Sequence, residues 1–356
     1  MANRPIRLQW LLLLSALAGC VTTTPAFMNG IDANYLPELR ARDVPWRTNG
    51  YDGDPLAAFA QRGVNAFRLR LWTTNTETAL TLATQAQQAG MTVLPVLFLS
   101  DNWADYVKQP VPAEWQDSDL TGKCGTVAGY AARTAIALRE RGIRANLYAI
   151  GNEIDFGICG EFEERWERRV SPDWLRQEVW PRAAAIIAAA QQGVRTVNPA
   201  ARFVIHLTQW WNVPFCRAML SALREHGVQV DVIGLSYYPT APMSEQRDFS
   251  SFFASTDTLA AAFNCPVIIC EYAYPASAEM GGQFSDWNHA APGYPLTPEG
   301  QARWLKDFLV ACRADAHIAG AFYWSPEWHA DEMWRAFALF DERGNARPAL
   351  SSLDNQ

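Results

Sequence analysis

The sequence is poor in charge and contains few histidines. Only 19% of its 356 residues are charged, 49% are hydrophobic, and five are histidine. So apolar a composition excludes an intrinsically disordered chain, because it buries enough nonpolar surface to offset the entropy lost on folding. The net charge is −7 and there is no basic cluster, which excludes a nucleic-acid partner, because such partners require a cationic surface.

Short motifs that bind phosphate or zinc are also missing. The chain has no GxGxxG loop, no Walker A loop and no CxxC pair, and it shows no internal repeat or low-complexity segment. An open, doubly wound α/β sheet would be expected to carry a glycine-rich phosphate loop after its first strand. The absence of that loop favours a different α/β architecture.

The N-terminus has the pattern of an export signal. Two arginines precede an apolar run over residues 10–18, which is too short for a transmembrane helix. The Leu-Ala-Gly-Cys that ends at Cys20 resembles the bacterial lipobox, whose cysteine receives a diacylglycerol; an ordinary cleaved signal or a short anchor helix is the alternative. We expect this lipid alone to attach the protein to a membrane, by default the outer membrane, facing the periplasm or the cell surface. The predicted parts are a signal peptide (residues 1–19), a lipidated tether (residues 20–26) and one domain (residues 27–356).

Six cysteines follow Cys20. An exported chain meets an oxidising compartment, so up to three disulfides can form, and six cysteines allow 15 pairings. Cys124 and Cys159 each precede a glycine in segments typical of loops, and we predict this pair ahead of the others. Buried free thiols are the alternative.

Eight short β-rich segments alternate with segments of helical periodicity. This alternation predicts parallel strands closed into a (β/α)8 TIM barrel, in a single α/β domain. The helical segments cover residues 76–89, 131–141, 181–197, 215–225 and 301–312. The strands are predicted at residues 27–31, 67–71, 92–97, 146–150, 203–206, 232–235, 267–270 and 320–324.

Polar and aromatic residues occur where these strands end, which is where a barrel places its active site. Arg68 and Arg70 share one face of the second strand because side chains alternate, and the barrel interior would bury both. The 15 Trp and 11 Tyr exceed what a core of this size needs, and flat aromatic faces suit sugar rings. The other strand ends add Asp101, Trp103, Asn152, Glu153, His206, Tyr237, Tyr238, Glu271 and Trp324.

Two carboxylates indicate the chemistry. Glu153 and Glu271 follow strands four and seven, whose ends face each other across the mouth of an eight-stranded barrel. Glycoside hydrolysis needs one acid to protonate the leaving oxygen and one carboxylate to attack or to activate water, and a separation of about 5–5.5 Å gives retention. Arg70 and a tyrosine would keep Glu271 ionised, whereas an apolar pocket and the nearby negative charge would keep Glu153 protonated.

Taken together, the motifs resemble those of glycoside hydrolase family 53, the arabinogalactan endo-β-1,4-galactanases. They occur in order along nearly all of the chain that follows Cys20. The matching segments are FRLRLW (67–72), SDNWAD (100–105), GNEI (151–154), VIGLSYYP (232–239), EYAYP (271–275), YPLTPEGQ (294–301), FYW (322–324) and LFD (339–341).

The resemblance implies a retaining mechanism, with Glu153 as acid/base and Glu271 as nucleophile. It also implies that Arg70 and Tyr238 orient Glu271. The expected substrate contacts are Asn152 at the sugar 2-hydroxyl, Trp324 beneath the sugar whose bond breaks, and Asp101, Trp103, His206 and Tyr237.

Several loops depart from the family pattern. Residues 96–99 are apolar, DFGICG follows residue 154, TQWWN follows residue 207, and Ser-Pro follows Trp324. Both carboxylates are retained, so we expect an enzyme that cleaves β-1,4-galactan internally. The alternatives are a retaining glycosidase of another β-glycan and a non-catalytic glycan-binding lipoprotein. Asp286, Asn288 and His289 form only part of a calcium-site pattern, so neither a metal nor another cofactor is expected.

Overall fold

The structure is a computed structural model that describes residues 26–48, 51–242 and 248–354. The predicted signal peptide and the lipidation at Cys20 lie outside these residues and stay predictions, as do the predicted domain bounds. Within the described residues, no helix combines the length and apolarity needed to cross a bilayer.

Eight parallel strands form a closed barrel, which confirms the predicted (β/α)8 fold. They are β1 (Met28–Asp32), β2 (Ala66–Leu71), β3 (Thr92–Leu97), β4 (Leu147–Ile150), β5 (Arg202–Leu207), β6 (Val232–Tyr237), β7 (Val267–Tyr272) and β8 (Ile318–Trp324). Each strand pairs with its neighbours in sequence, and β8 pairs with β1 to close the barrel. Every predicted strand is present, with its ends within two residues of the predicted ones.

The described residues also contain ten α-helices, and the five predicted helical segments correspond to α3, α4, α7, α8 and α10. The helices are α1 (Leu36–Ala41), α2 (Pro55–Gln61), α3 (Thr76–Gln88), α4 (Leu120–Glu140), α5 (Trp166–Arg169), α6 (Pro172–Glu178), α7 (Trp180–Val197), α8 (Val213–Glu225), α9 (Phe249–Phe263) and α10 (Pro298–Ala314). Several helices begin at a side-chain cap that accepts a backbone N–H, such as Thr297 before α10, as expected for hydroxyl residues at this position.

The core has two layers because both faces of a barrel strand are buried. Inside the barrel, small and branched side chains such as Val96, Val204 and Ile268 pack around Phe322. Outside it, the alternate side chains of the same strands pack against the helices. Gly30 is needed in the inner layer, because a Cβ at this position would lie 2.2 Å from the Phe322 ring.

The six cysteines after Cys20 are free thiols, so the predicted pairing of Cys124 with Cys159 is wrong. Cys124 lies on α4, which begins eleven residues before the predicted start, at a turn capped by Asp119. Cys159 is buried, and this burial raises the pKa of its thiol to about 12. Disulfide exchange requires a thiolate, so a buried thiol of this kind is a poor partner.

Candidate active site

A cavity of about 460 Å³ opens at the carboxyl ends of the barrel strands. It contains the carboxylates of Glu153 and Glu271 and a third one, from Asp105. Aromatic side chains make up most of its remaining wall: Tyr35, Trp103, Tyr106, Trp210, Trp211, Tyr238, Phe284, Trp287, Trp324, Trp328 and Trp334. Polar groups at the base of an aromatic cleft are the arrangement expected of a site for a sugar.

Glu271 lies at the end of β7 and is held by a cation and a phenol. Its Oε1 lies 2.9 Å from Nη1 of Arg68, and its Oε2 accepts a 2.9 Å hydrogen bond from the Tyr238 hydroxyl. Burial raises the pKa of Glu271 to about 7, while the Arg68 charge and the Tyr238 hydrogen bond lower it. The contact with Tyr238 is the one that the resemblance implied.

Arg68 forms the ion pair with Glu271, whereas Arg70, the arginine predicted to orient this carboxylate, forms its ion pair with another residue. Arg70 instead pairs with Asp32 at 2.6 Å and donates to Ser325 at 3.0 Å. Residues i and i+2 of a strand are about 7 Å apart along it. Only the arginine deeper in the barrel therefore reaches Glu271, although the charge of Arg70 still lowers the pKa of that carboxyl.

Arg70 lies among three aromatic rings of the cavity. Its guanidinium carbon is 4.8 Å from the ring centre of Tyr35, 5.1 Å from that of Trp103 and 4.9 Å from that of Trp324. Cation–π contacts of this kind are strong when they are buried. Trp103 and Trp324, both predicted substrate contacts, do line the cavity, and Arg70 holds them in place.

Glu153 follows β4 in a strained backbone conformation. Its φ is +50°, in the left-handed region that non-glycine residues rarely adopt. Its Oε1 accepts a 2.5 Å hydrogen bond from Ser236 Oγ. Burial, then the charges of Glu271 and Asp105, raise the pKa of Glu153 well above its usual value, and only the Ser236 hydrogen bond opposes them among its named partners. Glu153 therefore holds its proton more strongly than Glu271 does.

A chain of hydrogen bonds connects the two carboxylates beneath the cavity. His206 Nε2 lies 2.9 Å from Ser236 Oγ, and His206 Nδ1 lies 3.1 Å from Asn152 Oδ1. Asn152 Oδ1 in turn accepts a 2.6 Å hydrogen bond from Arg68, which also binds Glu271. Burial and the Arg68 charge lower the pKa of His206 well below its usual value, so this imidazole is neutral.

A neutral imidazole has one donor and one acceptor nitrogen. The hydrogen bonds of this chain can therefore be donated in either of two directions, which we call its two polarities. With the proton on Nε2, His206 donates to Ser236, and Ser236 donates to the Glu153 carboxylate. Nδ1 is then an acceptor, and its donor is Arg68 Nη2 at 3.4 Å in place of the hydrogen bond with Asn152. With the proton on Nδ1, His206 donates to Asn152, Nε2 accepts from Ser236, and Ser236 accepts from protonated Glu153. The chain therefore accommodates both protonation states of Glu153.

Four predicted substrate contacts do not line the cavity. Asn152 and His206 are fully buried in the hydrogen-bond chain beneath it. Tyr237 points to the outside of the barrel, where its ring stacks on Phe252 at 4.0 Å, because it alternates with the inward Ser236. Asp101 connects two other segments of the chain, because it accepts hydrogen bonds from the Thr73 hydroxyl and from the backbone N–H of Ala113.

Three residues around the two carboxylates were missed as site residues. Asp32 pairs with both barrel arginines, and it directly follows the predicted first strand, so the strand-end rule could have found it. Ser236 belongs to a quoted motif but was given no role. Asp105 accepts a 2.7 Å hydrogen bond from Trp103 Nε1, a contact for which the sequence has no signal.

Asp286, Asn288 and His289 are exposed, and neither Asp286 nor His289 belongs to a group of three carboxylate, thiolate or imidazole ligands among the described residues. In the part of the chain that the structure describes, one group of three carboxylate and imidazole ligands lies close enough together: Asp257, Asp315 and His317. None of these three residues lines the cavity.

Replacing Ser236 by alanine is expected to move the alkaline limb of the kcat/KM pH profile to higher pH. The Ser236 hydrogen bond lowers the pKa of Glu153, so its loss keeps the acid protonated at higher pH. It also slows the step that needs the Glu153 carboxylate, roughly tenfold for a hydrogen bond to a charged group. The Ser100→Ala variant is the control, because its buried hydroxyl has no hydrogen-bond partner. An unchanged profile in the Ser236→Ala variant would contradict this role.

Comparisons with known proteins agree with the geometry. The model for glycosyl hydrolase family 53 matches residues 28–353. An uncharacterized protein from the bgaB 5′ region of Niallia circulans is 28% identical, over 92% of this chain and 93% of that protein. The arabinogalactan endo-β-1,4-galactanase of Cellvibrio japonicus is 27% identical, over 95% of this chain and 94% of that enzyme. The family 53 catalytic domain of Ignisphaera aggregans has a TM-score of 0.79 at 24% identity, over 94% and 97% of the two chains.

Proposed function

The chain belongs to glycosyl hydrolase family 53, and we propose that it is a retaining endo-β-1,4-galactanase. The observation that carries this proposal is that Glu153 and Glu271 share one cavity and are both buried, but have different charged and hydrogen-bonding neighbours. Arg68 and Tyr238 support the charged form of Glu271, whereas burial and neighbouring carboxylates support the neutral form of Glu153. A nucleophile and an acid need this division of roles.

In the first step, an oxygen of the Glu271 carboxylate bonds to the anomeric carbon, and the glycosidic C–O bond breaks. Glu153 gives its proton to the departing oxygen at the same time. In the second step, Glu153 takes a proton from water, the water oxygen bonds to the anomeric carbon, and Glu271 is released. The two polarities of the Ser236–His206 hydrogen bonds match the two states that Glu153 needs in these steps.

Galactan is supported by similarity to the arabinogalactan endo-β-1,4-galactanase of Cellvibrio japonicus, which extends over nearly the whole of both chains. A second candidate substrate, another β-glycan, is favoured by one feature of the cavity. The loop with Trp210 and Trp211 departs from the family pattern and forms part of the wall. Asp155, in another altered loop, holds it by accepting from the backbone of Thr208 and Gln209 at 3.0 and 3.2 Å.

The test is an assay of the protein without residues 1–20 on linear β-1,4-galactan and on a panel of other β-glycans. New reducing ends and short galacto-oligosaccharides from galactan alone would support the proposed substrate. Release from a different β-glycan would transfer the mechanism to that polymer and reject galactan. Saturable binding with no new reducing ends on any polymer would reject catalysis and favour a glycan-binding lipoprotein.

A further inference from the structure

An exposed hydrophobic patch lies beside the cavity, on the connections that follow β3 and β4. Among the described residues, four large hydrophobic side chains are exposed, and three of them occur here: Val107 (46%), Trp166 (52%) and Val170 (81%). Grouped exposed hydrophobic residues, unlike single ones, indicate a binding surface. We refer to Val107, Trp166 and Val170 as the β4-side patch.

The tryptophan of this patch is rigidly supported from below. The guanidinium carbon of the buried Arg169 lies 4.1 Å from the centre of the Trp166 ring. The same guanidinium donates to the backbone carbonyls of Glu163 at 2.7 Å, Tyr106 at 2.9 Å and Val107 at 3.1 Å. Trp166 therefore has one ring face on a fixed cation and offers its other face to solvent, so little conformational entropy is lost when a ligand stacks on it.

The patch is continuous with the cavity. Tyr106 and Val107 line the cavity, and the Tyr106 ring lies 6.4 Å from the Trp166 ring in an edge-on arrangement. Glu153 lines the same cavity as Tyr106, and burial and then the Glu153 charge raise the pKa of the Tyr106 hydroxyl. A chain-like ligand that leaves the cavity past Tyr106 would therefore reach Trp166.

We propose that Trp166 is an outer platform for a sugar unit of the polysaccharide, beyond the units held in the cavity and on its Glu153 side. A pyranose ring has a face of C–H groups that packs on an open aromatic face. Glu164 and Glu167, which are close to Trp166 in sequence, are also exposed and carry acceptors for hydroxyl groups. The contact with Arg169 also holds the Trp166 ring in place, unlike the ring of an exposed tryptophan that has no such support. This inference rests on the proposed function, because it assigns a further binding position for the same polymer.

The experiment compares a long substrate with a short one in the Trp166→Ala variant. The substrates are linear β-1,4-galactan and a nitrophenyl β-galactobioside, which is too short to extend beyond the cavity. We expect the ratio of kcat/KM on the polymer to that on the short substrate to fall about fivefold, through KM for the polymer. Trp166→Phe keeps an aromatic face and should recover most of the loss. Val310→Ala removes exposed hydrophobic surface from α10, outside the patch and the cavity, and should change neither value.

Each outcome separates this inference from the function beneath it. A wild type that cleaves galactan, with an unchanged ratio in the Trp166→Ala variant, would overturn the platform and leave the galactanase assignment standing. An equal loss on both substrates would do the same, because it would indicate a structural role for Trp166. A wild type inactive toward every β-glycan would overturn the proposed function, and the platform with it.

Discussion

Replacing Glu271 by glutamine is expected to reduce turnover of the polysaccharide by at least about 10⁴-fold. The amide has nearly the same shape as the carboxylate but is not a nucleophile, so the glycosyl–enzyme bond does not form. Arg68 keeps Asp32 as a partner at 2.5 Å after the substitution, so its charge is not left unpaired in the barrel. We therefore expect a folded protein that still binds substrate. Reducing-end release and a thermal unfolding curve measure the two properties separately.

The matched control is Glu279→Gln. It makes the same chemical change at an exposed carboxylate in the connection that follows the same strand, β7, and it should retain wild-type turnover. Wild-type turnover in the Glu271→Gln variant would exclude Glu271 as the nucleophile. Loss of turnover together with loss of the cooperative unfolding transition would show that Glu271 is needed for folding, and the role would then be decided by trapping the glycosyl–enzyme with a fluorosugar on wild type.

Replacing Glu153 by glutamine is expected to have an effect that depends on the leaving group. Cleavage of the polymer should fall by about 10²–10⁴-fold, the usual contribution of general acid–base catalysis, because its leaving oxygen needs a proton. A dinitrophenyl glycoside leaves without a proton, so its first step should be nearly unaffected and glycosyl–enzyme should accumulate. Azide should restore turnover of this activated substrate, because it attacks the anomeric carbon without a base.

Stopped-flow release of dinitrophenol gives the direct measurement, as a burst followed by a slow steady state. The same variant should lose the alkaline limb of the pH profile, because the group that loses its proton there is Glu153. Equal losses on the polymer and on the activated substrate, with no burst, would contradict the assignment of Glu153 as acid/base. Ser100→Ala is again the control, because its buried hydroxyl has no hydrogen-bond partner among the described residues. Like wild type, this variant should show no burst.

Much of the architecture could be predicted from local patterns. Alternating β-rich and helical segments identified all eight strands and the closed barrel, since a parallel strand requires a crossover connection before the next strand. The same patterns placed Arg68 and Arg70 on one buried face, and both are buried in the barrel. The motifs around Glu153 and Glu271 identified the family, and both carboxylates line one cavity.

Contacts between distant segments could not be predicted, because they depend on how far each side chain reaches across the barrel. The alternation of side chains along β2 does not distinguish Arg68 from Arg70, because both point into the barrel. Only the deeper one, Arg68, forms an ion pair with Glu271. His206 and Asn152 were expected to contact the sugar, whereas both are fully buried and neither lines the cavity. The cysteine pairing failed for a related reason, since glycines near Cys124 suggested a loop where the capped helix α4 continues.

The orientation of the Glu271 side chain depends on the tertiary structure and could not be predicted from the sequence. Glu271 has the same parity on β7 as Ile269, which packs outward against the helices, so alternation alone would direct it away from the cavity. The register of β7 shifts at this point against both of its neighbours, β6 and β8, and such an irregularity redirects the next side chain. The local sequence establishes that a carboxylate lies at the end of this strand. Its orientation toward Arg68, Tyr238 and Glu153 depends on the pairing of three strands that are distant in sequence, because only that pairing sets where the pleat is interrupted.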